Sequence, residues 1–200
     1  MRIIFTTILL CFLIVSTHAF ALNAEKVSKN RITPQGLYLN PVEAYSMVTA
    51  DKKVLFVDVR SRVEVQYFGI AESVDFNIPY YFVDQWHWNK LNERFSRIDN
   101  KDFEKSLQRR LLQKGLTKAD PIIFICKSGA RSKRAAKAIY AKGYKNVYII
   151  PTGFDGGKAK LGPKKGHRVV EGWKFDGMPW SYDLNPKQFF FPEDYEKVMR

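Results

Sequence analysis

The 200-residue chain predicts an α/β fold, a parallel β-sheet covered by helices on both faces. Three observations carry the prediction. Apolar runs at residues 54–57, 121–125 and 146–150 have the length and β-branched content of strands buried on both faces. Segments with helical hydrophobic spacing alternate with them. The composition, 46% hydrophobic and 26% charged, is that of an ordinary globular domain with its own core, so no disulfide staple is required.

Taken in order, residues 1–21 read as an export signal. Arg2 supplies the positive start, residues 3–15 are apolar except for Thr6 and Thr7, and Ala19 and Ala21 form a small-x-small cleavage site. An uncleaved anchor is the alternative, but the apolar run falls short of the roughly 20 residues a span needs. Cys11 follows Leu10 inside that run, which argues against a lipoprotein. Residues 22–37 are polar and read as a flexible leader. Asn40 then caps a helix that opens on Pro41 and runs to about Ala50.

The first buried strand ends in Asp58-Val59-Arg60. Ser61 caps a short helix to about Tyr67, stopped at Gly69. Residues 74–78 form a short strand or extended arm closed by Pro79. Residues 80–98 carry Tyr80, Tyr81, Phe82, Trp86, Trp88 and Phe95. They are read as core packing beneath a long loop, with a binding surface as the alternative. Residues 102–114 form an amphipathic helix with Phe103, Leu107, Leu111 and Leu112 on one face and Gly115 as its C-cap. A helix is expected over 132–142, ended by Gly143, before the last strand. Ligands of such sheets sit beyond the carboxyl ends of strands. Asp58-Val59-Arg60 and Cys126 both fall there.

The chain has two cysteines, and signal cleavage removes Cys11. Cys126 then cannot close an internal disulfide. It is buried filler, an intermolecular link or a reactive group. The net charge of +13 falls by one when Arg2 leaves with the signal. It favours anions, acidic proteins or anionic lipid, and export makes nucleic acid the least suitable partner. No paired histidines, Cys-x-x-Cys or acidic cluster suggests a metal, and no cofactor-binding glycine loop is present.

The most informative stretch is Cys126-Lys127-Ser128-Gly129-Ala130-Arg131-Ser132. A buried strand delivers the cysteine into a tight loop that feeds a helix, whose first N–H groups lack internal partners. Such amides form a nest for negative charge. A free thiol has a pKa of about 8.5, and lowering it by about two requires roughly 2.7 kcal/mol. A helix dipole supplies roughly 0.3–1 kcal/mol, up to about 2. Direct N–H bonds to sulfur, with Lys127 and Arg131, are expected to supply the rest. The competing reading is an inert core cysteine beside a solvated helix face.

These residues resemble the rhodanese family. The loop is similar to that family's C-x-x-G-x-R-S. Leu55-Phe-Val-Asp58-Val-Arg60 resembles its L-x-D-V-R strand end, and Asn77-Ile78-Pro79 its N-I-P. Gly143-Tyr144-x-x-Val147 resembles its G-[FY]-x-x-V, and Gly153-Phe154-Asp155-Gly156 with Gly172-Trp173 its G-G-x-x-G-W. The resemblance implies a three-layer α/β/α domain over residues 38–185, with a central, mostly parallel, five-stranded sheet. Insertions near 80–98 and 157–170 and an extension at 186–200 depart from the pattern.

The resemblance also implies a sulfurtransferase. Cys126 would take sulfane sulfur from thiosulfate or a related anion as a persulfide, then pass it to a thiophilic acceptor. Residues Lys127, Ser128, Gly129, Ala130, Arg131 and Ser132 would bind the donor, Arg131 offering its planar fork to the oxygens. Asp58 and Arg60 would order the loop, and Arg62 is a further candidate for the pocket. A persulfide carrier with little small-molecule turnover is the alternative. A phosphatase is disfavoured, because related phosphatase loops are one residue longer. The second insertion carries Lys158, Lys160, Lys164, Lys165, His167 and Arg168. It is either a guide for an anionic donor or acidic exported protein, or a solvated loop. The expected compartment is the bacterial periplasm, without stable membrane insertion after cleavage.

Overall fold

A computed structural model describes residues 27–189. The predicted signal lies outside the described residues. In chain order the elements are β1 (Leu37–Tyr38), α1 (Pro41–Ala50), β2 (Leu55–Asp58), α2 (Arg62–Phe68), β3 (Ile70–Ala71), β4 (Phe76–Asn77), β5 (Tyr81–Asn89), β6 (Arg94–Asp99), α3 (Phe103–Gln113), β7 (Ile122–Ile125), α4 (Ala130–Tyr140), β8 (Val147–Ile149), β9 (Gly157–Lys158), β10 (Arg168–Val170) and β11 (Trp180–Ser181).

Five strands form the central sheet in the order β1-β8-β7-β2-β4, with every pairing parallel. The central strands β2 and β7 are buried along their length because both faces are covered, which is why they read as unbroken apolar runs. Side chains alternate between two cores. Val57, Phe124, Cys126 and Ile149 pack with Leu107 and Leu111 of α3 and Ala135 and Ile139 of α4. Phe56, Ile123, Ile125 and Ile150 pack with Ala44 of α1, Val65 of α2, Phe154 and Trp173. This is the expected three-layer α/β/α arrangement.

The caps read from sequence at the first two helices are present. Asn40 and Glu43 close a capping box at α1, and Ser61 and Glu64 close one at α2. The helix after the cysteine starts at Ala130, two residues earlier than expected, because Gly129 takes the left-handed region (φ 81°) and turns the chain straight into α4.

One expectation is overturned. Residues 80–98 are not core packing beneath a loop. They form an antiparallel hairpin, β5 with β6, that buries Tyr81 at its base and leaves Trp86, Trp88, Leu91 and Phe95 exposed. The leader and the C-terminal extension both touch the domain. Val27 and Thr33 are buried, the Gln35 amide donates to Ala136 O, and Phe189 is buried in a bridge to Asn77.

Candidate active site

Cys126 follows the last residue of β7 and is 1% exposed. Its register places it beside Val59, one residue past the Asp58–Ile125 pairing. The loop's carbonyls are tied outward in succession. Cys126 O accepts from Phe154 N at 2.7 Å, Lys127 O from Asp155 N at 2.9 Å, and Ser128 O from Arg31 Nε at 2.9 Å. A peptide's N–H points opposite to its carbonyl, so the N–H groups of residues 127–129 face away from these anchors. Ser132 N lies 3.5 Å from Cys126 Sγ, within reach of a hydrogen bond to sulfur. The Ser132 hydroxyl is buried and has no hydrogen-bond partner among the described residues.

Two glycines let the loop close this tightly. A Cβ at Gly129 would stand 2.0 Å from Pro151 O, and one at Gly153 would stand 2.4 Å from Cys126 O. Both glycines have positive φ.

Arg131 does not present an open fork. Its two terminal nitrogens donate to the two carboxylate oxygens of Glu64, and its side chain is buried. Its guanidinium also lies 5.1 Å over the Tyr81 ring. Burial pushes the Glu64 carboxyl upward, but Arg131 and the Ser61 N–H and hydroxyl outweigh it and hold the carboxyl at about 2. Burial likewise works against the Arg131 charge, and Glu64, with a smaller contribution from Cys126, raises its pKa instead. Both terminal nitrogens of Arg131, expected to grip donor oxygens, are instead engaged in a buried ion pair that braces α2 against the start of α4.

Asp58 and Arg60 form a buried pair at the end of β2, the strand beside β7. Arg60 Nη2 donates to Asp58 Oδ2 at 2.6 Å and to Gly69 O at 2.8 Å, with both side chains buried. Its guanidinium lies 4.0 Å over the Phe154 ring. Phe154 N is the group that anchors Cys126 O, so the pair supports the cysteine through one intervening residue. Arg62 is the first residue of α2.

Lys127 is partly exposed, its Nζ 5.1 Å over the Phe68 ring. It lines a cavity of about 440 Å³ with Phe68, Asp155, Arg168, Lys174 and Phe175. The second insertion forms a small ribbon, β9 with β10, rooted beside the loop through Asp155. Its Lys158, Lys160 and Arg168 line a larger cleft of about 890 Å³ that also touches Arg31 and Ser128.

Sequence reasoning did not single out Glu64, Arg31, Tyr81 or Lys174. For Glu64 one signal was visible: Ser61-x-x-Glu64 is a capping box. The box does not reveal that the same carboxylate spans to a residue 67 positions later.

The model of the rhodanese-like domain matches residues 40–160. An uncharacterized protein of Rickettsia rickettsii is 31% identical over 141 residues, covering 70% of this chain and 93% of the relative. A counterpart from Rickettsia conorii is 30% identical with the same coverage. Among solved structures, the crystal structure of Rv0390 from M. tuberculosis superposes with a TM-score of 0.53 at 25% identity. The match covers 73% of this chain and 97% of that one. With a cysteine loop seated at the carboxyl end of a five-stranded parallel sheet and a family match over more than half its length, the chain belongs to the rhodanese-like family.

Proposed function

We propose that the protein is a sulfurtransferase that carries sulfane sulfur on Cys126. The observation that supports this most is the outward tie of three successive loop carbonyls, which leaves the opposing amides to a negatively charged sulfur. A persulfide's terminal sulfur is such a charge. The Cys126 thiolate attacks the outer sulfur of thiosulfate. A new S–S bond forms at Sγ, the donor's S–S bond breaks, and sulfite leaves with the bonding pair. A thiophilic acceptor then attacks the outer sulfur, and Cys126 departs as the thiolate.

The donor's negative charge is met by Lys127, Arg168 and Lys174, the cations lining the adjacent cavity, because Arg131 is committed to Glu64. The lysines of the second insertion extend that positive field and would draw in an anionic donor or an acidic exported protein. We assign the action to the bacterial periplasm on the strength of the signal-like residues 1–21.

A carrier role is the second reading, and the Glu64–Arg131 pair favours it. A loop whose arginine is already neutralised offers a small dianion less than a loop with an open guanidinium. One experiment tests both readings. Incubation with thiosulfate should add about 32 Da, one sulfur atom, to Cys126. Rapid release to cyanide or a thiol, with turnover, marks an enzyme. A persistent adduct with negligible turnover marks a carrier. Absence of the adduct on the wild type, or its survival in Cys126→Ser, refutes both.

A further inference from the structure

The hairpin β5–β6 takes no part in this chemistry beyond its base. The base is fixed: Tyr81 is buried, Asn100 Nδ2 donates to Pro79 O at 2.7 Å, and the Arg97 guanidinium lies 4.4 Å over the Tyr81 ring. Away from the base the apolar side chains have no cover. Trp86 is 91% exposed and Leu91, in the turn, 92%. Trp88 and Phe95 stack only edge to face on each other and remain half exposed. A lone two-stranded ribbon in water is marginal, and apolar groups gathered at its end mark an interaction site.

We propose that the tip of this hairpin is a peripheral anchor for an anionic lipid surface. The apolar groups stand at the turn and along both strands rather than on a single buried face, so one insertion covers them together. Tryptophan has an apolar body and a polar N–H and settles at the membrane–water boundary. Lys90 and Arg94 flank Leu91 and outnumber Glu93 in the turn, where lipid headgroups would lie, and the chain's net positive charge, +12 without Arg2, supplies long-range attraction. The apolar tip is far too short to span a bilayer, so the association is interfacial and reversible. A protein groove is the competing occupant. This inference does not rest on the sulfur-transfer reading.

The test uses the full chain with vesicles of equal phosphatidylcholine and phosphatidylglycerol, the phosphatidylcholine brominated on its acyl chains to quench tryptophan on contact. Trp173 is buried and Trp180 partly so, leaving Trp86 and Trp88 as the accessible reporters. The quenchable emission lost in the Trp86→Phe, Trp88→Phe variant is therefore the hairpin's own, with any remainder assigned to Trp180. Quenching is expected at low salt, with loss of the quenchable emission in the Trp86→Phe, Trp88→Phe double variant. Leu91→Asp should raise the lipid concentration for half-quenching about tenfold. A urea unfolding midpoint matching the wild type checks that this variant is folded. Unquenched emission, or identical curves for wild type and Leu91→Asp, overturns the proposal. So does a hairpin buried instead by concentration-dependent self-association.

Discussion

Replacing Glu64 with glutamine isolates the ion pair that braces α2 against the start of α4. The substitution keeps the shape and one acceptor oxygen but removes the charge opposite Arg131. The carboxyl's fall from an ordinary 4.5 to about 2 corresponds to about 3 kcal/mol of folding stability at neutral pH. Removing one partner of a buried pair costs about 3–5 kcal/mol, because the other charge is left uncompensated. Glu64→Gln should therefore lose about 3 kcal/mol at pH 7, read from urea unfolding. The sign of the pH dependence follows from a lowered acid constant. The contribution is complete above about pH 4.5 and is lost as pH falls toward 2, with about 2 kcal/mol gone by pH 3. The gap between wild type and variant should narrow over that window. A variant as stable as wild type at pH 7, or a gap that stays constant down to pH 3, would refute the assignment.

Other substitutions test the remaining parts of the site. Arg60→Met leaves the Asp58 carboxylate buried without its partner and should cost about 3–5 kcal/mol in denaturant unfolding. Gly129→Ala sets a Cβ against Pro151 O at a positive φ. It should destabilise the fold by about 2 kcal/mol or more and slow persulfide formation, measured by unfolding and by mass. Changing Lys158, Lys160, Lys164 and Lys165 together to glutamine should slow transfer from thiosulfate at low salt and make little difference at high salt, because screening already removes the field. A rate unaffected at low salt would return that ribbon to the status of a solvated loop.

Much of this architecture is legible in the chain itself. The runs around Phe56 and Phe124 lie in the sheet because full burial leaves no alternation, and the strand-to-loop-to-helix passage at Cys126 is written in consecutive residues. The hairpin is less legible. Aromatic content is a burial signal on average, yet Trp86 and Trp88 are set on a ribbon that nothing in the described chain covers. Asn89 and Asn92 hold the turn, the Asn89 side chain accepting from Asn92 N at 2.9 Å. Long-range polar partners are the least legible. Nothing near Arg131 in sequence shows that Glu64, 67 positions earlier, has already claimed its fork.

The contact from Arg31 to Ser128 O reaches across 97 residues of chain. A fragment starting at residue 40, where the family match begins, would amputate that strut along with the whole edge strand β1. Such a trimmed protein would retain every residue of the C-x-x-G-x-R-S signature while leaving one carbonyl of its sulfur-bearing turn untethered. Recombinant boundaries, purification tags and protease sites therefore belong upstream of Val27.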